Sequence, residues 1–164
     1  MMMKLQNNKF YTLIFAFVFT FVFAAILSAV NYALKSKIDL NNQIIRTKAL
    51  LNALAIKFGS DLEAQEIFSQ SLIEKTLDNH QFFVTRETPP RLGAVYAGRG
   101  LWGSITLALA VDQDFKKLSG LDIIAHSETP GLGGRIDEEW FKKQFLSEDL
   151  SADKIFIVKS GGDG

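Results

Sequence analysis

The sequence predicts an α+β fold in which a single N-terminal transmembrane helix precedes a domain with a mainly antiparallel sheet and flanking helices. Three observations predict it. Phe10 to Val30 is a run of 21 residues without a charge. Two helical stripes follow, and then short alternating segments separated by turn residues. Helices first, then strands, then one more helix and strand is the order of an α+β domain.

The uncharged run carries only Tyr11, Thr12, Thr20 and Ser28 as polar side chains. As a helix it spans roughly 31 Å, the thickness of a hydrocarbon core. Lipid offers the backbone no partners, so the segment must be helical. A cleaved signal peptide is the competing reading, but its apolar region is only about 7–15 residues and ends on small residues at −3 and −1. Neither Leu27-Ser28-Ala29 nor Asn31-Tyr32-Ala33 meets that rule. An anchor is therefore expected. Lys4 and Lys9 precede it, and Lys35, Lys37, Arg46 and Lys48 follow. That count favours a cytoplasmic C-terminal side.

Ile38 to Phe58 shows a helical stripe of Ile44, Ile45, Leu50, Leu51, Leu54 and Phe58. Ser60 to Leu77 reads as a second helix. Ser60 and Glu63 form its capping box, and Ile67, Phe68, Leu72, Ile73 and Leu77 its apolar face. Gln81–Thr85 and Leu92–Ala97 read as short strands broken apart by Pro89 and Pro90. Leu101 to Val111 alternates, with Ile105, Leu107, Leu109 and Val111 on one side and Thr106, Ala108 and Ala110 on the other. After a turn at Asp112-Gln113-Asp114, Leu118–His126 is a strand expected to pair antiparallel with it. A glycine-rich loop leads to a helix over Asp137–Leu146 with Asp137 as N-cap, then a strand over Lys154–Lys159 and a turn at Gly161–Gly164.

Composition narrows the function. Past the anchor, Lys35 to Gly164 leaves 130 residues, enough for one core. With 18 basic and 18 acidic residues and no basic stripe, nucleic-acid binding is not expected. The absence of cysteine excludes disulfides, thiolate metal sites, iron–sulfur clusters and a cysteine nucleophile within the chain. His80 and His126 stand 46 residues apart, without metal-ligand spacing around either. No general acid, base or nucleophile constellation stands out.

Two motifs remain. Ser127-Glu128-Thr129-Pro130-Gly131-Leu132-Gly133-Gly134 lies between an expected strand and an expected helix. Its glycines permit positive φ and close backbone approach, and its freed N–H groups suit a planar or anionic ligand. A tight strand-to-helix connection is the plainer reading. Gly98-Arg99-Gly100-Leu101-Trp102-Gly103 places an aromatic residue between glycines at the start of a strand. Trp102 there suits either stacking on a flat cofactor or a core or rim position.

The Gly100–Gly103 motif, the spaced strand pair, Glu128-Thr129-Pro130-Gly131-Leu132-Gly133 and Trp140 together resemble the FMN-binding domain of the NqrC and RnfG subunits. Those subunits belong to the sodium-translocating NADH:quinone reductase and the Rnf ferredoxin:NAD oxidoreductase. The resemblance covers about residues 92–164. It implies a membrane-anchored flavoprotein subunit of an ion-translocating oxidoreductase, passing single electrons through FMN beside other membrane subunits. It implies Trp102, Glu128, Thr129, Gly131, Leu132 and Gly133 as cofactor-binding residues, with no catalytic side chain and no metal. It also implies a bacterial inner-membrane protein with a short cytoplasmic N-terminus and a periplasmic flavin domain, against the charge count.

In the family the FMN phosphate is esterified to a threonine in a Ser/Thr-Gly-Ala-Thr/Ser motif. This chain contains no such motif. The attachment threonine is expected beyond Gly164, and the chain reads as cut short and inactive alone. The expected division is residues 1–34 as tail and anchor, 35–80 as a helical segment and 81–164 as an FMN-binding domain without its C-terminal part. A tethered binding or sensor module, or an assembly subunit, stays open as an alternative. Gly100-Leu101-Trp102-Gly103 leans toward the Nqr type, and the Val158-Lys159 to Gly161-Gly162-Asp163 tail toward the Rnf type.

Overall fold

The computed structural model describes residues 9–78 and 80–150. The chain divides into two compact units, residues 1–42 and 43–164. Helix α1 (Lys9–Ala53) contributes to both.

In the first unit α1 is long and apolar enough to cross a membrane. Its most apolar window has a mean hydropathy of 2.7 and buries nothing within the chain. Tyr11, Phe15, Phe19 and Phe23 recur every fourth residue, and their rings form a ladder along one side of the helix. The Thr20 hydroxyl donates to Ala16 O at 2.8 Å, so this polar group is satisfied inside the helix. The segments Phe10–Val30 and Ile38–Phe58, read separately from sequence, are parts of one element that ends at Ala53.

The second unit is built on a five-stranded antiparallel meander in the order β1-β2-β3-β4-β5. The strands are β1 (Leu72–Leu77), β2 (His80–Thr85), β3 (Leu92–Arg99), β4 (Ser104–Val111) and β5 (Leu118–Ala125). Helix α2 (Asp61–Ser71) precedes them, and a 3-10 turn (Gly133–Asp137) and helix α3 (Glu139–Lys143) follow. The sheet confirms the α+β expectation and the antiparallel pairing of the last two strands, in register Leu109↔Leu121 and Ala110↔Gly120.

The second expected helix is shorter than its apolar pattern suggests. Its cap forms as expected: Glu63 N–H donates to Ser60 Oγ at 3.2 Å, and Glu63 Oε2 accepts from Gly59 N–H at 2.7 Å. It ends at Ser71, and Leu72–Leu77 is strand, paired from Leu72↔Thr85 to Leu77↔His80. Six ladder pairs with β2 outweigh the weak helical preference of Leu-Ile-Glu-Lys-Thr-Leu. The sequence boundary at 80/81 falls within this hairpin, one pair from its turn.

The core forms where the last turns of α1 lie on one sheet face. Leu50, Leu51 and Leu54 are fully buried beside Ala64 of α2, Leu72, Phe83, Ala108 and Ala110. Each such leucine contributes about 1.5–3 kcal/mol by burial. The face that packs against the helix is the small-residue face of β4, because close approach needs small side chains. Gly120 marks the tightest point, where a Cβ would stand 2.5 Å from Ala53 O. Ile105, Leu107, Leu109 and Val111 take the opposite face and are half-buried.

Two further expectations change. The strand read from Leu101 begins at Ser104, because residues 100–103 form a hairpin end closed by Gly100 N–H donating to Gly103 O at 2.7 Å. The helix read from Asp137 to Leu146 is the shorter α3, capped at Glu138, and Asp137 ends the 3-10 turn. The strand and turn expected at 154–164 lie outside the described residues.

Candidate functional site

Both sequence motifs lie on loops that meet at one end of the sheet. The first is the β3–β4 hairpin, where Arg99 pairs with Ser104 and Leu101 and Trp102 form the tip. Gly100 and Gly103 are bonded across the loop, and the tip is open, with Leu101 83% and Trp102 72% exposed. The second loop follows β5. Thr129 O accepts from Leu132 N–H at 3.1 Å and from Gly134 N–H at 3.0 Å. The first of these bonds closes a turn with Pro130 and Gly131 at its centre. Gly131 has φ +74, the conformation the third residue of a type II turn demands and glycine supplies without strain. The turn directs Leu132 outward, leaving it 74% exposed.

Glu128 joins the two loops. It is 7% exposed, and its Oε1 accepts from Trp102 N–H at 3.1 Å. A Cβ on Gly133 would stand 2.7 Å from Glu128 Oε2, and one on Gly103 would stand 2.7 Å from Ser127 Cβ. A Cβ on Gly100 would collide with Glu128 Oε1 and come within 2.8 Å of Ile105 Cδ1. These glycines therefore let the hairpin and the loop pack on residues 127 and 128. Gly131, by contrast, has open space, with no heavy atom of the described residues within 4 Å of a Cβ there.

The structure thus brings Trp102, Glu128 and Gly133 together, and places Thr129, Gly131 and Leu132 on the exposed turn beside them. Sequence reasoning missed His126 and Asp137. His126 Nε2 lies 2.9 Å from Asp137 Oδ2, and its Nδ1 accepts from Glu128 N–H at 3.1 Å. The only available signal was the position of His126 at the strand end, two residues before Glu128. Among the described residues no group of three or more His, Asp or Glu side chains could hold a metal.

Beyond the loop, Glu138 accepts from the Arg135 guanidinium and from Trp140 Nε1. The Arg135 hydrogen bond, then the Trp140 one, hold the Glu138 carboxyl below its ordinary range. Arg135 also lies over the Trp140 ring, 5.0 Å from its centroid. This fixes Trp140 beside the 3-10 turn.

Both loops lie in a stretch that is similar to known proteins. Residues 100–161 match the family model of an FMN-binding domain, and both loops fall within it. The NqrC-type subunit of the Na(+)-translocating NADH-quinone reductase from Yersinia pestis is 38% identical over 66 residues, covering 38% of this chain and 25% of that protein. A subunit of the ion-translocating oxidoreductase complex from Methanosarcina acetivorans is 38% identical over 63 residues, covering 38% of this chain and 32% of that protein. The match thus spans a quarter to a third of these relatives' length. The crystal structure of Shewanella oneidensis NqrC superposes with a TM-score of 0.63 at 17% identity, over 74% of this chain and 81% of that one, and shows the same fold. Residues 100–161 thus match an FMN-binding domain, and that stretch is similar to subunits of Nqr-type and ion-translocating oxidoreductase complexes.

Proposed function

We propose that this chain is a membrane-anchored flavoprotein subunit of an ion-translocating redox complex of the Nqr/Rnf type, and that it passes electrons through FMN. One observation carries this reading: the matched domain contains both loops, and they present Trp102 and Leu132 to solvent around an open glycine turn. An exposed indole and an exposed leucine on loops tied together suit a flat ring system. Gly131 leaves room for it, and the Thr129 side chain offers a hydrogen bond at the edge. FMN, when bound, supplies the one-electron chemistry. The residues of this chain bind and orient it, and the sheet behind the loops keeps them in place.

The family's covalent link requires a Ser/Thr-Gly-Ala-Thr/Ser motif, which these 164 residues do not contain. FMN held by these residues alone is therefore non-covalent. The test is FMN titration of the purified chain in detergent, followed by flavin fluorescence. Trp102→Ala should weaken binding about tenfold, the loss of one aromatic contact. A denaturing gel should show no fluorescent band, and absence of any FMN binding by the wild-type chain would sink the proposal.

The partners are other membrane subunits of such a complex, and the activity of the assembly is ion translocation, sodium in the Nqr type. We place the flavin domain on the periplasmic side of the bacterial inner membrane, on the family likeness. Alkaline phosphatase fused after Gly164 should be active. Fluorescence there from a reporter that matures only in the cytoplasm would reverse the orientation.

A further inference from the structure

We infer that His126 and Glu128 are positioning residues: together they lock the Gly100–Gly103 hairpin end to the Thr129–Gly134 turn, and neither carboxylate nor imidazole serves as a ligand group. The inference rests on the flavin reading only for its purpose, which is to hold Trp102 and Leu132 at a fixed separation.

The observations form one chain. Trp102 N–H donates to Glu128 Oε1 at 3.1 Å, Glu128 N–H donates to His126 Nδ1 at 3.1 Å, and His126 Nε2 meets Asp137 Oδ2 at 2.9 Å. Because Nδ1 accepts from a backbone amide, it carries no proton. The network thus assigns the ring proton to Nε2, which donates to Asp137. Three separate pieces of backbone are tied in series: the hairpin end, the turn and the 3-10 segment.

Packing points the same way. The Glu128 side chain is buried with its oxygens against Gly100 and Gly133, and the His126 ring lies 3.3 Å from where a Gly134 Cβ would stand. A carboxylate in that position faces protein on both sides. Gly133 is thereby explained by Glu128, and Gly134 faces Thr129 O at 3.2 Å as well as the His126 ring, with no ligand invoked. This revises the sequence expectation for Glu128 and Gly133, which become supports for the exposed Trp102 and Leu132.

Amide hydrogen exchange on the full chain in detergent tests the inference, because the bonds in question protect named amides. Glu128→Gln keeps an oxygen acceptor of the same reach, and Glu128→Ala removes it. Exchange across residues 100–103 should rise about tenfold in the alanine variant and stay near wild type in the glutamine variant. Asparagine at 126 can place its oxygen where Nδ1 stands, whereas glutamine reaches toward the Nε2 position. His126→Asn should therefore keep the Glu128 amide protected, and His126→Gln should lose that protection. Thermal unfolding of each variant separates local loosening from global loss of fold. Equal exchange at residues 100–103 in the wild type and Glu128→Ala, or equal effects of alanine and glutamine there, would overturn the inference. FMN titration of the same variants reads the purpose separately. The expected exchange pattern in a chain that binds no FMN supports the lock and removes only the flavin reading.

Discussion

At the scale of single residues, the two motifs owe their glycines to different causes. Gly131 is required by its φ, because +74 is costly for any residue with a Cβ. Gly133 is required by space, and the three heavy atoms nearest its missing Cβ all belong to Glu128, at 2.7, 3.0 and 3.4 Å. The two cases predict different mutational behaviour. Gly133→Ala should destabilise the wild-type chain by about 1–3 kcal/mol, the range of an overpacked contact. In a Glu128→Ala background the penalty should shrink by more than half, because the clashing Oε2 atom is gone. Gly131→Ala should cost about 1–2 kcal/mol in both backgrounds. A double-mutant cycle on thermal unfolding in detergent separates them, with coupling at 133 and none at 131. Additivity at 133 would show that Glu128 moves aside freely. None of this pairing was legible in the sequence. A run of glycines announces an unusual loop, but only the fold shows which side chains lie above them.

At the scale of elements, legibility followed locality. The Ser60 cap, the buried Leu50, Leu51 and Leu54 stripe, and the β4–β5 pairing all depend on nearby residues, and all were readable. Leu72–Leu77 was not, because its apolar spacing fits a helix and its strand state comes from β2, several residues further on. Helix α1 ends in a way the sequence also conceals. Ile56 N–H donates to Leu51 O at 2.8 Å and Ala55 N–H to Asn52 O at 2.9 Å, the pattern of a Schellman cap, with Ala55 at φ +55. An alanine there is strained and exposed, so Ala55→Gly should stabilise the fold by about 0.5–1 kcal/mol, seen as a higher unfolding midpoint. A lower midpoint would mean that glycine's extra unfolded-state freedom outweighs the strain.

Helix α3 is tied down by charge. Lys142 Nζ donates to Asp122 at 3.1 Å and pairs with Glu139 at 2.7 Å, and Asp122 also accepts from Asn52 Nδ2 at 2.7 Å. Burial pulls the Lys142 ammonium down, but hydrogen bonds to Glu139 and Asp122 and their charges raise it more, so its net direction is upward. A cation raised in the fold adds stability that is fully present below its unfolded value and lost as pH rises through its folded value. Lys142→Met should cost about 1–2 kcal/mol at neutral pH, by leaving the buried Asp122 carboxylate without its cation. The gap between the two unfolding midpoints should narrow only above the ordinary lysine range of about 10.4. A gap that stays constant into strong alkali would assign the loss to packing of the lysine stem.

At the scale of the whole molecule, the architecture was more legible than the site. Hydropathy alone marks the apolar helix, because 21 uncharged residues are far more than a core helix needs. The order of periodicities gives the fold class. The site depends on bringing residues 100–103 to residues 126–137, a long-range meeting set by the sheet, and only the resemblance pointed to it in advance. The anchor itself has a decisive test, because a retained membrane helix and a cleaved leader differ in mass and in partitioning. Expressed in bacteria, the chain should stay in the membrane pellet after alkaline carbonate extraction, and its intact mass should include residues 1–30. Replacing Phe19 and Val22 with arginine puts two cations at the centre of the apolar run, at about 2.5–3.5 kcal/mol each on an insertion scale. That variant should move to the soluble fraction. A wild-type chain that lacks its first 30 residues and appears in the supernatant would show that the apolar run only directs export.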